Sequence, residues 1–122
     1  MKVIVAGSRN ISDYDLVEQA IKESGFEITE IVSGGARGVD RLGEKYAFVN
    51  GLPVRAFLAN WNRYGKRAGY LRNERMATYA DAVVAVWDGQ SKGTKHMIDF
   101  AKGKGLHIFV FDTSKRVNRP AK

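Results

Sequence analysis

Apolar positions along this chain alternate between two patterns. Short continuous runs, KVIVA at Lys2–Ala6 and AVVAVW at Ala82–Trp87, have the β-branched content of strands buried on both faces. Between such runs the apolar residues fall into helical spacing. Leu16, Val17, Ala20 and Ile21 make one stripe, opened by a cap at Ser12 or Asp13 and closed by Gly25. Glu27–Val32 predicts a second strand, which runs into Ser33-Gly34-Gly35. A helix follows from about Val39, with Leu42, Tyr46 and Ala47 on one face and an end near Asn50-Gly51. Pro53–Leu58 predicts a third strand, its proline at the start where a missing N–H is tolerated. Leu71–Ala80 and Gly93–Lys102 predict helices, and Leu106–Phe111 a fifth strand. Only Asn60–Tyr70 breaks the rhythm. It mixes Trp61, Tyr64 and Tyr70 with Arg63, Lys66, Arg67 and two glycines, and predicts a long irregular loop.

Strands separated by helices predict an α/β class: a Rossmann-like three-layer α/β/α arrangement on a mainly parallel five-stranded sheet. The expected organisation is one domain over residues 1–113. Residues 114–122, with four positive charges, Pro120 and no acid, are expected to be a flexible basic tail.

A length of 122 residues suffices to bury a core without covalent staples. The chain has no cysteine, which excludes a disulfide scaffold, a cysteine-ligated zinc site and a cysteine nucleophile. Its two histidines, His96 and His107, are too separated for a histidine-built metal site. Neither a metal nor a cofactor is expected. The N-terminal apolar stretch is too short for a secretion signal, and no run approaches the roughly 18 residues of a membrane span. The expectation is a cytoplasmic protein with no membrane partner.

The net charge of +7 is unevenly spread. Residues 1–30 hold three basic and six acidic side chains, residues 31–80 nine and three, and residues 81–122 eight and four. A basic field over the middle and C-terminal parts attracts phosphates, whether of nucleotides or of nucleic acids.

Three strands are each followed by a small-residue loop and then a helix: Gly7-Ser8-Arg9-Asn10, Ser33-Gly34-Gly35-Ala36-Arg37-Gly38, and Asp88-Gly89-Gln90-Ser91-Lys92-Gly93-Thr94. In a parallel sheet these loops converge on one edge, where open α/β sheets bind ligands. Glycine admits close backbone approach, and helix N-termini offer amides and a positive dipole end to anions. Arg9, Arg37 and Lys92 add a cation to each loop. One such loop would be read as a tight turn; three together predict a phosphate site. The dinucleotide fingerprint GxGxxG is missing, and Lys92-Gly93-Thr94 has its lysine on the wrong side for a GxxxxGK[ST] loop.

Val3-Ile4-Val5-Ala6-Gly7-Ser8-Arg9, Ser33-Gly34-Gly35-Ala36-Arg37-Gly38-Val39-Asp40, Arg72-Asn73-Glu74-Arg75-Met76 and Gly93-Thr94 together resemble the YspA-like branch of the SLOG superfamily, over residues 3–111. The resemblance implies a Rossmann-like domain that binds nucleotides or nucleotide-derived ligands. It implies kinship with the Lonely Guy phosphoribohydrolases and with the DNA-processing protein DprA, and sensor roles in prokaryotic and phage conflict systems. Arg72, Met76 and Asp81 reproduce the spacing of an arginine, methionine and acidic residue in the Lonely Guy enzymes, which makes Arg72 the match to their catalytic arginine. Their PGGxGTxxE motif is matched only at Gly93-Thr94, and its catalytic glutamate falls on Met97, which cannot act as acid or base.

The leading expectation is therefore a binder of a nucleotide-derived small molecule that acts as a sensor. Its phosphate and ligand contacts would come from Gly7, Ser8, Arg9, Ser33, Gly34, Gly35, Ala36, Arg37, Gly38, Asp40, Arg72, Asn73, Asp88, Gly93 and Thr94, with Trp61 or Tyr64 covering the base. The alternative is a nucleotide N-glycosidic-bond hydrolase, with Arg72 and a substitute carboxylate, Asp40 or Glu74, as catalytic groups. A second alternative is a DprA-like module that binds nucleic acid. Relatives of this fold pair through helices, so a homodimer is a further expectation.

Overall fold

A computed structural model describes residues 1–115. Five strands, β1 (Lys2–Gly7), β2 (Glu30–Ser33), β3 (Val54–Ala56), β4 (Ala82–Trp87) and β5 (His107–Asp112), form one sheet in the order β3-β2-β1-β4-β5. Every neighbouring pair is parallel. The helices are α1 (Tyr14–Ser24), α2 (Val39–Val49), α3 (Trp61–Tyr64), α4 (Ala68–Tyr79) and α5 (Lys92–Gly103). The chain adopts the expected Rossmann-like α/β fold. No described helix is long and apolar enough to cross a membrane.

The continuous apolar runs are explained by helices on both faces. Val3 and Val5 of β1 and Val84 and Val86 of β4 pack with Val17, Ala20 and Ile21 of α1 and Val39 and Ala47 of α2. Their neighbours Ile4, Ala6, Val83 and Ala85 point the other way, toward Met76 and Ala77 of α4 and Met97, Ile98 and Ala101 of α5. Each fully buried Val, Ile or Met side chain among them contributes about 1.5–3 kcal/mol. Gly43 lets α2 come close to β1, since a Cβ there would lie 2.8 Å from Val5 Cβ.

The chain leaves β1 toward β2 and β3, then crosses to β4 on the other side. β1 and β4 are adjacent, yet α1 and α5 depart from them to opposite faces. That is a topological switch point, and it opens a crevice beyond the strand ends.

Two expectations need correction. β3 is only Val54–Ala56, shorter than Pro53–Leu58, because it is an exposed edge strand paired with β2 alone. Asn60–Tyr70 is not an irregular loop. The Asn60 side chain caps α3 by accepting from the Arg63 N–H at 3.1 Å. A 3-10 turn, Gly65–Arg67, then leads directly into α4. Gly69 lies inside α4, where a Cβ would come within 3.3 Å of the Trp61 indole. Packing of that ring overrides glycine's helix penalty of about 1 kcal/mol. Of the expected tail, residues 116–122 lie outside the described residues.

Candidate functional site

The β1–α1 loop is fixed by backbone contact with its neighbours. A Cβ on Gly7 would fall on the Val86 carbonyl. The Ser8 N–H donates to Val86 O at 3.1 Å, its Oγ accepts from the Asp88 N–H at 3.1 Å, and its carbonyl accepts from the Val39 N–H at 3.3 Å. Buried Ser8 thus ties all three glycine loops together. Gly38, at φ +80°, crosses so near this loop that a Cβ would lie 2.5 Å from Ser8 O. Part of the glycine content therefore serves loop packing.

The next layer is built by α4. Buried Arg72 donates from Nη1 to Gly34 O at 2.6 Å and from Nε to Asn73 Oδ1 at 3.1 Å. Asn73 Nδ2 donates to Gly93 O at 3.2 Å and lies 3.3 Å from His96 Nδ1. The Arg72-Asn73 pair thereby clasps the second loop to the third. Gly34 is required beneath this clasp: a Cβ there would lie 2.7 Å from Arg72 Cζ and 2.8 Å from Asp40 Oδ2.

Asp40, in the first turn of α2, is 5% exposed and accepts from the Ala36 N–H at 3.2 Å. Burial pushes its carboxyl up to about 6, against the opposing pull of Arg72 and the Ala36 hydrogen bond. Burial also lowers Arg72 from the usual arginine value, while Asp40 raises it; the guanidinium remains a cation.

In the third loop Asp88 Oδ1 accepts from the Gln90 and Ser91 N–H groups at 2.8 and 2.9 Å. These bonds hold the carboxyl below its usual value. Ser91 caps α5 through the Thr94 N–H at 3.3 Å, and Thr94 Oγ1 donates to Ser91 Oγ at 3.0 Å. Nothing lies within 4 Å of a Cβ built on Gly93, so the α5 N-terminus is open there.

These elements enclose a cavity of about 450 Å³ at the C-terminal ends of β1 and β4. Of the sequence-selected residues it brings together Gly7, Ser8, Arg9, Ala36, Arg37, Asp40, Arg72, Asn73, Asp88, Gly93, Thr94 and Trp61. Gly34 and Gly35 line an adjoining cavity. Ser33 and Gly38 stand behind the wall, Ser33 donating to Glu44 Oε2 at 2.6 Å and accepting from the Gly35 N–H at 3.0 Å. Tyr64 and Glu74 face a different cavity, on the outer side of α4, and Glu74 lies 3.8 Å from His96 Nε2. Lys92 is exposed and outside the lining. The cavity also takes Asn10, Lys66 and Tyr70, which the sequence did not single out as ligands. The signal for Tyr70 was its place among the aromatics of Asn60–Tyr70; its ring centre lies 4.4 Å from that of His96. Among the described residues no three His, Cys, Asp or Glu side chains gather where they would hold a metal.

Residues 1–64, the β1–α3 half with the first two glycine loops, match the YspA, cpYpsA-related SLOG family. The chain belongs to that family. It is 32% identical over 120 residues to the Gene 61 protein of Mycobacterium phage D29, covering 90% of this chain and 95% of that relative. Its fold is similar to that of DNA processing protein A (DprA) from Streptococcus pneumoniae, with a TM-score of 0.72 at 22% identity. That match covers 89% of this SLOG chain and 49% of the DprA chain, so the chain spans about half of DprA's length. In this SLOG fold Met97, at the position the Lonely Guy resemblance gives to a glutamate, is buried in the core and touches the cavity only from below. Asp81, which shares the spacing with Arg72 and Met76, lies at the opposite edge of the sheet and accepts from the Lys2 N–H at 2.8 Å.

Proposed function

We propose that this SLOG chain binds a nucleotide or nucleotide-derived phosphate ligand at the C-terminal edge of its sheet and acts as a sensor. The observation that carries this reading is the meeting of Arg9, Arg37 and Arg72 with the open N-terminus of α5 around one cavity of about 450 Å³. Cations and helix-end amides suit a phosphate, and the volume suits a small molecule. Trp61 and Tyr70, about half exposed on its wall, offer ring faces to a base. The absence of a carboxylate at Met97 favours binding without turnover.

Asp40 supports a second reading. A buried carboxyl whose pKa is pushed up to about 6 is suited to general acid–base work near neutral pH. In that reading the bond between ribose C1′ and the base nitrogen breaks as a water oxygen bonds to C1′. Asp40 takes the water's proton, and the leaving base is protonated from solvent.

Thermal shifts with AMP, ADP, ADP-ribose, NAD, cyclic nucleotides and ribose phosphate test the binding reading. A ligand at one hundred times its dissociation constant adds about 2.7 kcal/mol, on the order of 4–8 °C for a domain of this size. Chromatography of the same mixtures separates the readings: unchanged nucleotide supports the sensor, and released base supports the hydrolase. No shift with any phosphate-bearing ligand contradicts both.

A further inference from the structure

The site cavity is the first of three that adjoin one another. It shares Arg9, Arg37, Trp61 and Arg72 with a neighbouring cavity of about 610 Å³. That neighbour shares Leu58, Ala59 and Arg72 with a third, of about 850 Å³, on the outer side of α4. Through these common walls the three cavities adjoin in a row from the strand ends, past the Trp61 indole, to the outer side of α4. A single nucleotide fills only its first section.

Rings and cations alternate along these walls. The Arg9 guanidinium lies 6.0 Å from the Trp61 ring centre in the first sections. In the third, the Tyr64 ring is exposed and Lys104 lies 5.8 Å from the half-buried Phe100 ring, while Arg75 covers the buried Phe57 ring at 5.3 Å. Among the described residues none of Arg9, Arg67, Arg75 and Lys104 forms a salt bridge with a carboxylate. Residues 51–80 hold six basic side chains against one acid, Glu74. Glu74 also lines the third section, so the cations there outnumber one acid, and such an excess attracts a polyanion.

We propose that this groove takes single-stranded nucleic acid, with a terminal nucleotide in the site cavity and the following nucleotides running past Trp61 to the outer side of α4. The proposal rests on the nucleotide reading of the site cavity. A single strand presents phosphates to the cations and free base faces to the rings. A duplex hides its base faces. An acidic peptide would satisfy the cations and leave the rings unused, and a membrane surface does not follow a groove that turns around α3.

The test is fluorescence anisotropy with a randomised, 5′-phosphorylated DNA hexamer labelled at its 3′ end. Its competitor is an equimolar mixture of the four deoxynucleoside monophosphates. The intact chain is expected to bind the hexamer at least tenfold tighter than the mixture, and the mixture is expected to displace it at high concentration. Arg75→Ala with Lys104→Ala, both at exposed positions, is expected to weaken the hexamer severalfold. The same pair should flatten the salt dependence by about 1.4 in log–log slope, since each single-strand phosphate contact adds about 0.7. Tyr64→Ala should weaken the hexamer by about tenfold or more. Mononucleotide thermal shifts should stay unchanged in all these variants. Mononucleotide shifts without tighter hexamer binding, or a hexamer indifferent to the α4-side variants, overturn the groove and leave the nucleotide pocket standing. A hexamer that binds without displacement by mononucleotides overturns the pocket reading, and with it the claim that the groove begins there.

Discussion

The two ends of this sheet are built from the same five strands and satisfied in different ways. At the N-terminal end the chain answers its own polar groups: Asp81 accepts from the Lys2 N–H at 2.8 Å, the Thr29 N–H donates to Met1 O at 2.8 Å, and the Met1 amine donates to Glu27 O at 2.8 Å. At the C-terminal end lie the buried polar and charged residues Ser8, Ser33, Asp40, Arg72, Asn73 and Thr94. Burying such groups is costly unless each is hydrogen-bonded, and a buried charge costs most. Among the described residues, these six buried polar and charged side chains gather at that end of the sheet, around and behind the cavity. The asymmetry, more than any single motif, is the reason to propose the ligand site at this end.

The strongest way to break this contrast is through the loop packing. Gly7→Ala puts a methyl group onto the Val86 carbonyl, where backbone on both sides resists movement. It is expected to cost about 3 kcal/mol or more in denaturant unfolding. Gly25→Ala, beyond α1 at the opposite end, has nothing within 4 Å and only a φ of +71° to strain, so about 1 kcal/mol is expected. Arg72→Met comes next. It leaves Gly34 O and Asn73 Oδ1 without their donor and Asp40 without its cation, at a cost of about 3 kcal/mol, and nucleotide binding should fall more than tenfold. Arg72→Lys should not restore binding, because one ammonium cannot reproduce the two-pronged clasp.

Asp40 gives a smaller effect with a distinctive pH signature. Its folded value of about 6 exceeds the ordinary 3.8, so between these the folded chain holds a proton that the unfolded chain has released. Its contribution to stability therefore declines as pH rises through that window. Asp40→Asn keeps an acceptor for the Ala36 N–H and removes the titration. Thermal unfolding from pH 4 to pH 8 should show the variant more stable than the parent by about 2 kcal/mol above pH 6 and equal to it near pH 4. The smallest effect is expected at the other end: Asp81→Ala should cost about 1 kcal/mol and leave nucleotide shifts unchanged.

Most of the sheet was legible because buried strands need continuous apolar runs, and Lys2–Gly7 and Ala82–Trp87 have them. The three glycine loops were legible because small residues after a strand are what a tight turn and a close backbone approach require. What escaped was decided by side-chain packing. Asn60–Tyr70 carries two glycines and no apolar period, yet the Asn60 cap and the Trp61 ring against Gly69 make most of it helical. The Arg72-Asn73 clasp could not be read from charge alone, since an arginine on a helix is ordinarily solvated and this one is 9% exposed. The spacing of Arg72, Met76 and Asp81 matched a catalytic pattern, but in this fold the span from Arg72 to Asp81 runs from one edge of the sheet to the other.

Amide chemical-shift mapping of the intact chain during titration with a nucleoside monophosphate distinguishes the two ends of the sheet residue by residue. The largest changes are expected on Arg9, Ala36, Arg37, Gly93 and Thr94, while Lys2, Thr29, Asp81 and His107 at the opposite edge stay still. Changes centred on that opposite edge, or equal changes with the unphosphorylated nucleoside, would contradict it.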